Sequence, residues 1–285
     1  MSTGLTKSVW LQFSTSANFL LQSLDARGVA LGESYVAVAG GIHSLYWNPA
    51  GLSALEKRIE LTFTHRPSIS DDVLNYEQAA LAYPLNARSA LAIDYTYVDF
   101  GYPSFDPEEH QYSYALGASY AIQVFRNLSA GLTLRRISQE LILSEHAFAV
   151  DLGALYQWQN FWQAPAWQSQ LNFGASLSNL GEKVEFFEGQ ADPLPRFLRL
   201  GVASQVMSQS KWNETGLHYA GMLVSFEYQN LLNDHDVNGE KIWEWGAGAE
   251  LQFVEMVHLR LDYHKRLPQT NRTAIGRIFV PAFVS

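Results

Sequence analysis

The sequence predicts an all-β chain: a transmembrane antiparallel β-barrel preceded by an N-terminal segment folded into its lumen as a plug. Three observations carry this expectation. From residue 58 onward apolar and polar residues alternate with the period of a strand, in runs of about ten residues. Charged residues make up 16% of the 285-residue chain and aromatic residues 13%. Soluble domains carry roughly 25% charge, so something other than water is expected to cover part of the surface. No apolar run approaches the ~18 residues of a spanning helix, so any crossing is made by strands.

Residues 1–57 stand outside the alternation and are expected to form the plug, with the barrel over 58–285. "DARGVALGESYVAVAGG" is rich in small residues that permit close packing and unusual backbone angles. In "NPAGLSAL", Asn48 is placed to cap a helix start, Pro49 fits the first helical position, and Ala50 and Gly51 complete the turn. Strands are expected at 58–66, 74–83, 88–99, 110–123, 128–138, 145–157, 168–178, 196–206, 216–229, 241–253 and 256–265, with a weaker one at 272–280. In "WEWGAGAELQF", Trp243, Trp245, Ala247, Ala249, Leu251 and Phe253 share one face, and Glu244 and Glu250 lie on the other. "VHLRLDYH" repeats the pattern, with Val257, Leu259, Leu261 and Tyr263 opposite His258, Arg260, Asp262 and His264.

Strands of about ten residues suit a tilted outer-membrane barrel wall, whereas globular strands average about 5–6. The second, fourth and tenth joints, "PLNAR", "FRN" and "VE", are tight, and the third, seventh and ninth are long. Short turns on one side and long loops on the other are how such barrels are built. "QWQNFWQAPAW" and "MSQSKWNET" are longer than strict alternation allows. Tyr95 with Tyr97, Tyr112 with Tyr114, Tyr156 with Trp158 and Trp243 with Trp245 cluster near strand ends, as interfacial girdles would.

The inward charged set comprises Arg135, Asp151, Arg199, Glu244, Glu250, His258, Arg260, Asp262 and His264. It reads as a lumen polar network holding the plug to the wall. His258, Asp262 and His264 lie on one face of one strand, where neighbours are about 7 Å apart, too far to share an ion easily. No metal site and no cofactor are read from the sequence. A net charge of −9 without a Lys/Arg stripe excludes a general nucleic-acid binder. With no cysteine, thiol nucleophiles, disulfides and Cys-based zinc sites are excluded. Nucleophile-elbow, phosphate-loop, zinc-protease and dinucleotide motifs are absent, so the chain is not expected to be an enzyme.

"DARGVALGESYVAVAGGIHSLYWNPAGL" resembles the opening signature of the PorV/PorQ family of outer-membrane proteins. These are relatives of the FadL-type transporters, whose N-terminal hatch also carries an Asn-Pro-Ala turn. "SLSNLGEKVEFFEGQADPLPRFLRLGVASQV" is similar to the family's Asn-Leu-Gly segment followed by Leu-Pro and an Arg-Leu-Gly strand. The resemblance implies a fourteen-stranded barrel in the cell outer membrane, against the eleven or twelve strands visible here. It also implies a signal peptide and closing strands that are not visible, so the chain is expected to be incomplete at its ends. Partners implied are outer-membrane lipid and, for protein transport by type IX secretion, exported cargo proteins or secretion-machinery components. FadL-like hydrophobic compound transport would instead need a hydrophobic small ligand, and a soluble or structural β-protein stands as a third reading. Loops near 99–110, 179–195 and 229–240 are expected to face outward and meet the ligand or partner.

Overall fold

A computed structural model of the chain describes residues 15–23, 25–38, 40–55, 58–67, 75–101, 110–140, 144–187, 190–211, 218–235, 241–254, 256–267 and 278–279. The strands are β1 (Glu60–Arg66), β2 (Asn75–Asn86), β3 (Ser89–Gly101), β4 (Gln111–Phe125), β5 (Leu128–Glu140), β6 (Ser144–Gln159) and β7 (Trp167–Gly181). A small hairpin of β8 (Lys183–Phe187) and β9 (Gln190–Pro193) follows. The chain continues through β10 (Phe197–Ser208), β11 (Ala220–His235), β12 (Lys241–Phe253), β13 (Val257–Leu267) and β14 (Ile278–Phe279). All but the hairpin join one twelve-stranded sheet, in which each strand pairs with its neighbour in the chain. Every pairing is antiparallel. Among the described residues no pairing joins β1 to β14, and no helix is long and apolar enough to cross a membrane.

Alternation located the strands, and the backbone ladder carries several of them further. β2 continues past the expected residue 83 to Asn86, and β11 past 229 to His235. Ladder hydrogen bonds do not need an apolar face, so polar strand ends escape a reading by hydropathy. Of the expected strand 272–280, only Ile278 and Phe279 lie within the described residues. Residues 102–109 and 236–240 of the expected outward loops lie outside them.

The loop expected at 179–195 has structure of its own. β7 runs on to Gly181, the β8–β9 hairpin follows, and Val184 and Leu194 are buried. They pack with Ala17, Phe19, Tyr76, Val98 and Ile137. The Ser16 amide donates to the Pro193 carbonyl at 3.0 Å. Val184 and Leu194 escape water by covering residues 15–21.

Residues 15–55 form short helical turns within the concavity of the sheet. They include α1 (Ala26–Val29), α2 (Ser44–Trp47) and a six-residue 3-10 helix, Pro49–Ala54. Asp25 caps α1 by accepting from the Arg27 and Gly28 amides, and Asn48 caps the 3-10 helix with Pro49 in its first turn. This one segment touches β1 through Ile42, β5 and β6 through Pro49 and Asn48, and β12 and β13 through Gly32. A sheet that meets the same short segment from β1 to β13 must curl around it.

Burial across the sheet is inverted relative to a soluble protein. Leu61, Leu134 and Phe148 are 78%, 56% and 62% exposed, while Glu227 and Glu250 on inward positions are 0% and Arg199 is 1%. Exposed apolar side chains recur on β2, β3, β4, β6, β7, β11, β12 and β13, forming a continuous outer band.

Candidate functional site

The interface between residues 15–55 and the inner wall carries the buried chemistry. On the β5–β7 side the segment's backbone lies directly on the sheet. A Cβ built at Gly153 on β6 would fall 2.2 Å from Asn48 Oδ1. One at Gly131 on β5 would fall 2.3 Å from the Ala50 nitrogen, so both positions need glycine for this close approach. Asn48, fully buried, accepts from the Ala50 amide at 3.1 Å and donates Nδ2 to the Val36 and Ala154 carbonyls at 2.9 and 3.0 Å. Ser176 donates to the Trp47 carbonyl at 2.8 Å, and Asn172 to the Ala37 carbonyl at 3.0 Å. The expected Asn48-Pro49-Ala50-Gly51 turn is thus the point at which the segment sits on β6.

On the β10–β13 side the contacts are charged. Glu227 of β11 accepts from the Tyr35 and Val36 amides at 2.7 Å each. Arg27 of α1 donates Nη2 to Glu250 of β12 at 2.7 Å and Nε at 3.2 Å. Arg260 donates to the same carboxylate, Gln252 does so at 2.6 Å, and His258 Nδ1 lies 3.7 Å from it. A carboxylate buried on this wall is tolerable only because cations and donors surround it. Arg199 of β10 stacks on Phe197, Tyr46 and Trp47 with centroid distances of 4.3, 5.0 and 5.6 Å, and its Nε lies 3.8 Å from Glu227. Inside the segment, Trp47 donates to Asp25 at 3.2 Å and His43 lies 3.5 Å from Asp25. Burial pushes the Tyr35 hydroxyl up to about 12. The hydrogen bond to Asp25 raises His43 above its ordinary value.

The nine charged residues singled out in the sequence fall into separate groups. Arg135 bridges Asp94 of β3 at 2.9 Å and Asp151 of β6 at 3.1 Å, joining wall strands to one another rather than to the segment. Glu250, His258 and Arg260 converge around Arg27. Glu244 meets His264 at 3.0 Å and Arg266 at 3.1 Å. Asp262 shares the inward face of β13, opposite Gly248. Arg27, Asp94 and Glu227 were not singled out. Strand parity could have found two of them, since Asp94 alternates with Ala92 and Thr96, and Glu227 with Ser225 and Gln229.

A cleft of about 30 Å³ lies between segment and wall, lined among others by Phe19, Tyr46, Asp94, Arg135, Asp151 and Arg199. That is room for about two waters.

A family model described as type IX secretion system protein PorV matches residues 10–225, which include the whole interior segment and β1–β10. The chain belongs to this family. The match takes in both motifs quoted from the sequence and gives the chain a role in type IX secretion. No curated protein matches it. The Asn48 turn, Glu227 and the Arg135 cluster lie within the family-matched region or, for Glu227, just beyond it.

Proposed function

We propose that this member of the PorV family is an outer-membrane β-barrel that receives or presents exported cargo by binding, with residues 15–55 as a fixed plug. The observation that carries the reading is the inverted wall, with Glu227 and Glu250 buried inside and Leu134 and Phe148 exposed outside. A surface of this kind is at equilibrium only against lipid, because an exposed apolar band this continuous drives aggregation in water. Aromatic positions support the same placement. Trp243 and Trp245 sit near one end of β12 and Phe253 at the other. Eight residues from Trp245 to Phe253 at about 3.3 Å each, tilted by about 40°, span about 20 Å, near the height of an outer-membrane apolar band. In lipid such a sheet is stable only with its edges paired, as in a closed barrel.

Binding is favoured over catalysis and over passage. Arg27, Glu227 and Glu250 seat the segment and Arg135 pairs wall strands, so these buried charged groups are engaged in holding the fold together. An uptake channel for hydrophobic compounds needs a continuous path past residues 15–55, whose contacts with the wall reach from β1 to β13. Cargo is therefore expected to meet the long-loop end.

The test is export of the chain behind a periplasmic signal, with deletion of residues 102–109 or 236–240. The deleted forms are expected in the outer membrane with heat-dependent gel mobility, while cross-linking to exported proteins is lost. Cross-linking that persists in the double deletion contradicts cargo reception at the loops. An uptake defect with intact cargo cross-linking favours the transport reading instead.

A further inference from the structure

Beyond these anchors, a turn of the interior segment meets β12 and β13. Gly32 and Glu33 both adopt left-handed backbone angles, with φ of 64° and 59°. The turn lies so close to the wall that a Cβ at Gly246 would fall 2.2 Å from the Gly32 carbonyl oxygen. This places the Glu33 side chain beside Glu244 of β12 and His264 of β13. One ligating atom from each of the three lies within 4.8 Å of the others.

Two carboxylates this close repel one another unless a cation or a proton intervenes. Arg266 Nε, 3.1 Å from Glu244 Oε1, holds one oxygen of that group. The other, Oε2, lies 3.0 Å from His264 Nε2. The Glu33 carboxylate is different. It is partly exposed, and the charges of Glu244, His264, Arg199 and Arg266 all act on it. Two carboxylates and an imidazole, brought by the interior turn, β12 and β13, thus face one point.

We propose that Glu33, Glu244 and His264 form a binding site for a divalent cation of the zinc type, which ties the interior segment to β12 and β13. One imidazole nitrogen and two carboxylate oxygens are a donor set that suits Zn²⁺ and disfavours Mg²⁺ and Ca²⁺, which take oxygen ligands. Zinc bonds of about 2.1 Å in tetrahedral geometry place ligands about 3.4 Å apart. The His264–Glu244 separation of 3.0 Å is already short enough, and no separation in the trio exceeds 4.8 Å, so a change of Glu33 side-chain angle brings the third ligand into range. A fourth position is left for water. Arg266, bound to the far oxygen of Glu244, orients that ligand from outside the coordination sphere.

Zinc titration of the chelator-treated chain in detergent, followed by calorimetry, tests the site. One equivalent is expected to bind, with affinity reduced at least tenfold in Glu33→Gln and in His264→Gln. His65→Gln, at a half-exposed position on β1, is expected to bind as the parent chain does. Heat-dependent gel mobility establishes that each variant is folded. Zinc is also expected to slow proteolysis within residues 15–55 of the parent chain and to have no such effect on Glu33→Gln. Absence of stoichiometric binding, or equal affinity in the Glu33 and His264 variants, overturns the proposal. Protection that grows on acidification without any zinc binding overturns it too, and assigns the trio a shared proton.

Discussion

Replacing Asn48 tests how the interior segment is seated. Its side chain makes three hydrogen bonds in a fully buried position: one to the Ala50 amide within the segment, one to the Val36 carbonyl, and one to the Ala154 carbonyl on β6. In Asn48→Ala the lost cap costs about 1 kcal/mol. The Val36 carbonyl, left buried without this donor, adds about 1–3 kcal/mol, whereas Ala154 keeps its place in the β5–β6–β7 ladder, for a total of about 2–4 kcal/mol. At 1.4 kcal/mol per factor of ten, the unseated population rises by roughly 30-fold or more. Asn48→Asp separates the contributions, since it keeps the capping oxygen, removes the donor, and sets a carboxylate against two carbonyl oxygens. It is expected to be as damaging as alanine or worse. The assay is hydrogen exchange of the Val36 and Ala50 amides in detergent, with heat-dependent gel mobility reporting that the sheet remains assembled. Unchanged exchange in Asn48→Ala would refute the reasoning. So would an aspartate variant that behaves like the parent chain.

Other expectations follow from the same contacts. Arg135→Met leaves Asp94 and Asp151 buried without their cation, which costs about 3–5 kcal/mol in urea unfolding from lipid, and a loss below about 1 kcal/mol contradicts the pairing. Leu134→Arg, on the outer face of β5, costs about 2–4 kcal/mol if that position is at the bilayer midplane and almost nothing in water. A Cβ at Gly131 would collide with the backbone of Pro49 and Ala50, so Gly131→Val is expected to expose the Asn48 turn to protease while β5 still pairs with β6. His43, raised through its hydrogen bond to Asp25, binds its proton more tightly when the segment is seated than when it is released. Its contribution is therefore complete below the ordinary histidine value of about 6.5 and is lost as pH rises through the raised value. Protease protection of α1 should fall over that window in the parent chain and stay flat in His43→Gln.

The period of alternation made most of the sheet legible, because a strand with one apolar and one polar face repeats every second residue whatever covers the apolar side. It could not locate the β8–β9 hairpin. Those strands are short, and Val184 gains its cover from Phe19, more than 160 residues earlier in the chain. The Asn48 turn was legible because capping is local. The partners of the charged residues were not. Glu250 is satisfied by Arg27 from α1, 223 positions away, and parity alone cannot say which inward carboxylate meets which cation. Arg135 illustrates the cost, since its partners, Asp94 and Asp151, lie on wall strands. The same limit hid the carboxylate–imidazole trio. Residues on one strand stand too far apart to share an ion, whereas Glu33, Glu244 and His264 come together from three elements.

A membrane wall of this kind turns its apolar face to lipid and its charged face to the interior. The chain contains no cysteine, so single-cysteine labels can be placed without background at outward Leu134, Leu152 and Leu261 and at inward Thr133 and Ser225. In reconstituted bilayers the outward labels are expected to be quenched by lipid-borne quenchers and shielded from water-soluble ones, while the inward labels are shielded from lipid. Outward labels quenched from water, in a chain that remains monodisperse without detergent, would contradict the membrane wall and the secretion role built on it.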